Sequence, residues 1–322
     1  MAGAASLGGP VRVAAQLLVV AALLTGTLAR ADVYFVNVAG LGGEPDYEQR
    51  FKALAADLDR SAKAAGMPVQ VVTLAGPQAT RENLHQALDG IAARARADDV
   101  LVMTLVGHGS FDGSQYKFNL PGPDVTAEQL SQWLVRIPAK RQLIVNTTSA
   151  SGGSVALLRH PDRVVVAATK AGSEKNATVF ARYWVEALQD PGADTDKNQV
   201  ITALEAFQYA TRKTAAFYQT EKRLATEHAV FAVGAGSDLL RDATPDSEAG
   251  RLLASFALVR LGAANDAAGD PAKVALLRQK EQLEQQIDLI KYQRAAMSPQ
   301  DYRSQLAQAL VALAKVQQEL DK

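Results

Sequence analysis

The sequence predicts an α/β fold, built on a doubly wound, mostly parallel sheet of six strands with helices on both faces. Short apolar runs rich in β-branched residues alternate with helix-like stretches over residues 33–233. The central runs lack polar alternation, which is typical of strands covered on both faces. Two of these runs end in small polar clusters, at the edge where open α/β sheets bind ligands.

Each strand is predicted from a short apolar run bounded by glycine, proline or polar residues. The six predicted strands are Val33–Val38, Pro68–Leu74, Val100–Val106, Gln142–Asn146, Arg163–Ala168 and Ala229–Val233. Apolar spacing and N-capping residues predict helices over residues 47–58, 80–95, 126–137 and 178–188, and from Thr202 onward. The segment 110–125 is rich in glycine and proline and is predicted to form a hairpin.

The N-terminus has the features of a secretory signal peptide. Arg12 precedes the apolar stretch Val13–Leu24, and the small-residue motif Ala29-Arg30-Ala31 follows it. We expect cleavage after Ala31 and export to a bacterial periplasm or the medium. The alternative is an uncleaved membrane anchor, although the apolar stretch is short for a transmembrane span.

Composition narrows the classes of partner and chemistry. Lys+Arg and Asp+Glu are both 34, so no basic excess favours nucleic acid as a partner. The chain has no cysteine, which excludes disulfides, thiolate metal sites and a cysteine nucleophile. An exported chain without cysteine suits a bacterial envelope.

Polar residues follow two strands that should be neighbours in the sheet. His108 and Gly109 come directly after Val100–Val106, and Ser149 follows the next strand along the chain. A histidine and a hydroxyl cluster at adjacent strand ends predict a site at this edge.

The segment "DTDKNQVITALE", residues 194–205, has the oxygen-ligand spacing of an EF-hand calcium loop. The predicted ligands are Asp194, Asp196, Asn198, the Val200 carbonyl, Thr202 and Glu205. Gln199 stands where the loop normally needs glycine, which predicts weak calcium binding. The alternative is a polar loop that only caps the following helix.

The C-terminal third departs from the α/β pattern. Leu252, Phe256 and Val259 predict one helix face, followed by a linker, so residues 246–270 form a helix and linker outside the 32–245 domain. Heptad-like leucine and isoleucine spacing around Ser298-Pro299 predicts an antiparallel coiled-coil hairpin over residues 271–322. Its apolar seam could close on itself, on the domain or on a second chain.

The two polar clusters resemble those of caspase-like cysteine peptidases, and within them the legumain family. In that fold a catalytic His-Gly follows the third strand, matched here by "VMTLVGHGS". The nucleophilic cysteine follows the fourth strand, often as Cys-x-Ser-Gly, and "IVNTTSASGG" places Ser149 at its position. The order of elements from about residue 33 to 233 also matches. The calcium-like loop and "ALEAFQYA" look like a feature of bacterial members, whereas the hairpin lies outside the resemblance.

The resemblance implies that His108 is the general base and that the Gly109 N–H contributes to an oxyanion hole. A serine, unlike cysteine, needs a base in hydrogen-bond contact and an acid that orients it. The sequence identifies no such acid for His108. We therefore expect a degenerate peptidase homologue that acts as a binding or scaffold module, with a peptide or protein in the cleft or a partner on the hairpin. The alternative is a hydrolase with a Ser149/His108 dyad.

Overall fold

A computed structural model describes residues 31–236, 238–262 and 270–320. The predicted signal peptide, apart from Ala31, and linker residues 263–269 lie outside the described residues. None of the described helices has both the length and the apolar composition of a transmembrane span.

The described strands, in chain order, are β1 (Val33–Ala39), β2 (Val69–Leu74), β3 (Val100–Val106), β4 (Gly109–Phe111), β5 (Tyr116–Phe118), β6 (Val125–Thr126), β7 (Arg141–Asn146), β8 (Arg163–Ala167), β9 (Val200–Thr202), β10 (Val230–Val233) and β11 (Ala257–Arg260). The α-helices are α1 (Pro45–Lys63), α2 (Arg81–Ala92), α3 (Ala127–Val135), α4 (Val155–Leu158), α5 (Phe180–Ala187), α6 (Ala203–Thr220), α7 (Glu248–Ala254), α8 (Pro271–Tyr292) and α9 (Pro299–Leu320).

The predicted six-stranded, mostly parallel sheet is confirmed. Its strand order is β10-β8-β7-β3-β1-β2, and only the edge strand β10 pairs antiparallel. Alternate residues of β3 enter different cores: Val100 and Val102 pack with α1, α5 and α6, whereas Leu101 and Met103 pack with α2 and α3. Burial on both faces explains the continuous apolar runs in the sequence.

Residues 109–126 form a small antiparallel sheet of β4, β5 and β6, which confirms the predicted hairpin. Thr126 and Gln129 form the capping box that starts α3. This small sheet leaves the main sheet directly after β3. It therefore extends over the carboxyl edge, where the predicted site residues lie.

One sequence prediction in the segment 246–270 is wrong. Leu252 lies in α7, but that helix ends at Ala254, and Val259 belongs to β11 instead of the same helix face. β11 pairs antiparallel with β9, and the Phe256 carbonyl accepts the N–H of Ala203. This pairing provides hydrogen-bond partners for backbone N–H and C=O groups that follow the end of α7. It also buries Leu258 and Val259.

The C-terminal helices α8 and α9 form the predicted hairpin. Ile287, Ile290 and Ala309 make a small apolar cluster with Tyr302, Leu306 and Leu313, and this cluster is separate from both cores of the sheet. The seam of the two helices thus closes at least partly on itself. Leu310 and Val311 remain about half exposed, and Leu310 lines a cavity that Leu252 and Glu205 of the sheet domain also line.

Candidate functional site

The ends of β3 and β7 lie side by side because the two strands are parallel neighbours. Leu105 of β3 is paired with Asn146 of β7. Thr147 extends this contact, since its N–H and its hydroxyl both donate to the Leu105 carbonyl, at 3.0 and 2.7 Å. The segments that carry the predicted site residues therefore meet at this edge. We call the following five residues the strand-end cluster: Gly109, Tyr116, Asn146, Thr148 and Ser149.

Both hydrogen bonds of the Ser149 hydroxyl go to the backbone of Gly109. Its oxygen accepts the Gly109 N–H at 3.1 Å, and the hydroxyl donates to the Gly109 carbonyl at 3.1 Å. The residue is only 2% exposed. A hydroxyl has one proton, so Ser149 has none left for a base while this pair is intact. The Gly109 N–H, which the resemblance assigns to an oxyanion hole, is also occupied.

Gly109 is required sterically at this position. A Cβ there would lie 2.5 Å from the Ser149 carbonyl oxygen, 2.6 Å from the Tyr116 ring and 2.7 Å from the Thr148 hydroxyl. Two of these neighbours belong to the chain segment after β7. The absence of a side chain therefore allows the His-Gly segment to approach the serine segment this closely.

His108 faces α1 through its ring. The imidazole lies edge-on to Tyr47 and Phe51, with ring centroids 4.8 and 5.1 Å apart. Burial lowers the pKa of His108, and a hydrogen bond to the Gly42 backbone and the charge of Glu44 oppose that shift. The structure thus brings the His-Gly segment to Ser149, but the contact is made through Gly109.

A buried hydrogen-bond network beneath Ser149 was not predicted from the sequence. The Tyr116 hydroxyl lies 2.6 Å from the Thr148 hydroxyl and donates to Asn146 Oδ1 at 3.3 Å. Asn146 in turn donates from Nδ2 to Ser154 at 3.0 Å. Burial raises the pKa of Tyr116 to about 12, so the phenol stays neutral. The only hint of this network in the sequence is Asn146, a polar residue directly after the apolar run "LIV".

Phe111 covers the turn that follows Ser149. A Cβ on Gly172 would lie 2.4 Å from the Phe111 ring, and a Cβ on Gly153 would lie 2.7 Å from it. The ring thus rests on two glycines, one from the short 3-10 helix Ser151–Ser154 and one from the loop after β8. This packing places an aromatic side chain of the chain itself beside the strand-end cluster.

A hydrogen-bonded pair that sequence reasoning missed, Glu174 and His228, holds the residue after Ser149. Ala150 adopts a left-handed conformation, with φ 56°, and donates its N–H to the Glu174 carbonyl at 2.7 Å. The Glu174 carboxylate pairs with the ring and the backbone N–H of His228. No pattern in the sequence connects these two residues, which are 54 positions apart.

The predicted calcium segment, residues 194–205, is a compact turn that we call the carboxylate loop. Asp194, Asp196 and Glu205 can each place one carboxylate oxygen within 4.8 Å of the others. Asn198 donates from Nδ2 to Asp196 at 3.0 Å. Thr202 and Glu205 form the capping box of α6. Five of the six predicted ligand residues therefore have side chains that lie close together or hydrogen-bond with one another in this turn.

The charges in the carboxylate loop act on one another. Partial burial of its carboxyl raises the pKa of Asp196 to about 6, and the neighbouring charges of Glu205 and Asp194 act in the same direction. Asp196 is nevertheless the most exposed of the three acids, since Asp194 and Glu205 are each 5% exposed. The loop thus holds carboxylates at a separation that disfavours their full ionisation.

No protein-family model and no curated protein matches the chain. The chain is similar to a protein from Geobacter sulfurreducens, at 12% identity and TM-score 0.45, over 72% of this chain and 100% of that one. It is also similar to the Drosophila initiator caspase Dronc, at 12% identity and TM-score 0.40, over 66% and 82% of the two chains. Caspase-1 from Spodoptera frugiperda matches at 13% identity and TM-score 0.44, over 65% and 88%. These are similarities of fold.

Proposed function

We propose that the chain is an exported, legumain- and caspase-like peptidase homologue that has lost catalysis and acts as a binding or scaffold module. The observation that carries this proposal is the bonding of Ser149. Its hydroxyl is buried and makes a reciprocal pair with the N–H and carbonyl of Gly109. A nucleophile must reach a substrate and pass its proton to a base, and this hydroxyl is arranged for neither.

The position of His108 supports the same proposal. Its ring packs on Tyr47 and Phe51, and burial lowers its pKa. A catalytic histidine of a serine hydrolase becomes charged during the reaction and is stabilised by an acid on its other nitrogen. Here the ring hydrogen-bonds to the backbone of Gly42, and burial outweighs the effect of the Glu44 charge, so the neutral ring is favoured.

The alternative function is a hydrolase with a Ser149/His108 dyad. It requires Ser149 to leave Gly109 and turn toward the imidazole, which would also free the Gly109 N–H for a substrate carbonyl. The favourable feature is that all these groups already lie at adjacent strand ends. Activity would then depend on an opening that also exposes the buried serine.

A fluorophosphonate probe separates the two functions, because it labels only activated serine hydroxyls. We expect no label on the wild-type protein, whereas a trypsin-like serine hydrolase in the same tube labels fully. Labelling that disappears in both Ser149→Ala and His108→Ala would establish the dyad and contradict the proposal.

We also propose that the hairpin carries the partner-binding surface, through self-association or a second protein. Val311 is 55% exposed on α9, outside the cluster that joins α8 to α9. Because the chain has no cysteine of its own, a single introduced cysteine is the only thiol that can form a disulfide-linked dimer. Val311→Cys should form an oxidised dimer if hairpins pair, while Leu157→Cys, 45% exposed on the sheet domain, should not.

Export is the remaining part of the proposal. It rests on the sequence of residues 1–31. Intact-mass measurement of protein from the envelope fraction should give a chain that begins at Asp32. A mass that begins at Met1 would instead support the uncleaved membrane anchor.

A further inference from the structure

Asp194 is a buried carboxylate with an unsatisfied oxygen. Its Oδ2 accepts the N–H of Gln199 at 3.1 Å, whereas its buried Oδ1 has no hydrogen-bond partner. The residue is 5% exposed, so water does not supply the missing contact readily. Buried charges in proteins are normally paired or bound to a metal. This oxygen therefore points to a positive ligand in the carboxylate loop.

The surroundings of Asp194 increase the need for that ligand. Asp196 and Glu205 bring further carboxylate oxygens within 4.8 Å. Lys197 lies in the same loop, but its ammonium donates to the backbone carbonyl of Asp194. Like charges this close repel one another unless a cation lies between them.

The backbone of the loop already has the turn that an oxygen-lined cation site needs. Gln199 has φ 68° and Lys197 has φ 61°, both in the left-handed region. Gln199 occupies the loop position where an EF-hand uses glycine to turn sharply. Gln199 therefore adopts the sharp turn although it is not glycine. Its side chain makes this left-handed conformation less favourable.

Neighbouring secondary structure holds the loop in this form. β9 begins at Val200, the residue whose carbonyl would be a ligand, and pairs with β11 through Val200 and Arg260. At the end of the loop, Glu205 lies in the first turn of α6. The ligand groups are thus positioned from a sheet and a helix, and binding needs little reorganisation.

We propose that the carboxylate loop binds one calcium ion, with Asp194, Asp196 and Glu205 as the charged ligands. Asn198, Thr202 and the Val200 carbonyl supply further oxygens from the same turn. The donor set contains only oxygen, which hard cations prefer, and six protein oxygens suit calcium better than magnesium, which usually keeps several waters and binds one or two carboxylates. This inference is independent of the strand-end cluster and of its activity.

Glu205 limits the affinity. One of its oxygens accepts hydrogen bonds from the N–H and hydroxyl of Thr195, and the other accepts them from the N–H and hydroxyl of Thr202. A cation that binds Glu205 in bidentate fashion must compete with these four donors. We therefore expect a dissociation constant between about 0.1 and 1 mM, in the range of extracellular calcium modules.

Titration calorimetry of the wild-type protein with calcium chloride tests the inference. We expect one site per chain and much weaker binding of magnesium. Asp194→Asn should weaken calcium binding by about tenfold or more, since affinity follows the number of charged ligands. Asp190→Asn is the matched control: it removes the same charge four positions earlier, from a carboxylate already bonded to Tyr209 and Gly192, and should bind like wild type.

Thermal melting gives a second readout, which a structural loop without a cation would not show. Calcium should raise the Tm of the wild-type protein and leave that of Asp194→Asn unchanged. Without calcium, Asp194→Asn should melt above wild type, because it removes an uncompensated buried charge. If that variant does not fold, the exposed Asp196→Asn takes its place with the same expected loss of binding. No calcium binding up to about 10 mM, equal binding by wild type and the folded variant, or equal affinity for magnesium would overturn the inference.

Discussion

The strand-end cluster and the carboxylate loop both hold buried polar groups, but they differ in how these groups are satisfied. Ser149, Thr148 and Tyr116 find their partners inside the chain. Asp194 keeps one buried oxygen without a partner. A site that is complete without a ligand needs none to stay folded, whereas an incomplete one is stabilised by what it binds. The site that resembles an active centre is thus the closed one.

The two regions also differ in net charge. The strand-end cluster is built from hydroxyls, an amide and backbone groups, so its interior is neutral. The carboxylate loop gathers three acids within 4.8 Å of one another. Removing a hydrogen-bonding group from the strand-end cluster should therefore lower the free energy of unfolding. Removing the charge of Asp194 from the carboxylate loop should raise it in the absence of a cation. The predictions below use this contrast, from the largest expected effect to the smallest.

Gly109→Ala should produce the largest effect, because the strand-end cluster has no room for a methyl group. The new Cβ would meet the Ser149 carbonyl oxygen at 2.5 Å and the Tyr116 ring at 2.6 Å. We expect a loss of about 3 kcal/mol in the free energy of unfolding, as for a severe overpacking substitution. Urea denaturation followed by circular dichroism measures it.

Gly90→Ala is the control for that substitution. Gly90 lies within α2, and a Cβ there meets only the flexible end of Arg94 at 3.9 Å. Alanine in a helix interior should stabilise the protein by about 1 kcal/mol. Equal effects of the two substitutions would show that the close packing around Gly109 is not tight in solution.

Ser149→Ala should destabilise the protein by about 1–2 kcal/mol, because it leaves the Gly109 N–H and carbonyl without partners. Its sign is opposite to that expected for Asp194→Asn in the absence of calcium. Paired denaturation curves of the two variants, recorded in a chelator, check the contrast. A neutral or stabilising Ser149→Ala would indicate a serine kept for chemistry at the expense of stability.

The fold was predictable where burial leaves a pattern, and the site was predictable only in part. β3 and β7 appear as apolar runs because residues on both of their faces are buried. β11 escaped prediction because Phe256 and Val259 also fit one helix face with Leu252, and only the pairing with β9 decides between a helix and a strand. Tyr116 joins the strand-end cluster from a hairpin 30 residues before Asn146, a contact without local signal.

The pH dependence of stability should report the packing of His108. Burial lowers its pKa, so the folded state favours the neutral ring. Its contribution is complete above the unfolded pKa of about 6.5 and is lost as the pH falls from there toward the lowered value. Wild type should lose more stability between pH 7 and 5.5 than His108→Phe does. Parallel profiles for the two proteins would mean that the ring is freely hydrated.

Truncation after residue 263 should have the smallest effect on the sheet domain. The hairpin buries its own cluster around Ile287, Ile290 and Ala309, and no α8 or α9 side chain that the structure describes belongs to either core of the main sheet. β11, by contrast, supplies Leu258 and Val259 to the core and ends at Arg260, so it survives this truncation. We expect the Tm to change by less than about 3 °C, which corresponds to about 1 kcal/mol for a domain of this size. Calcium binding should persist, since all the proposed ligands precede the hairpin. Loss of folding would show that the hairpin packs on the domain as a structural element, and loss of calcium binding alone would show that it closes the carboxylate loop.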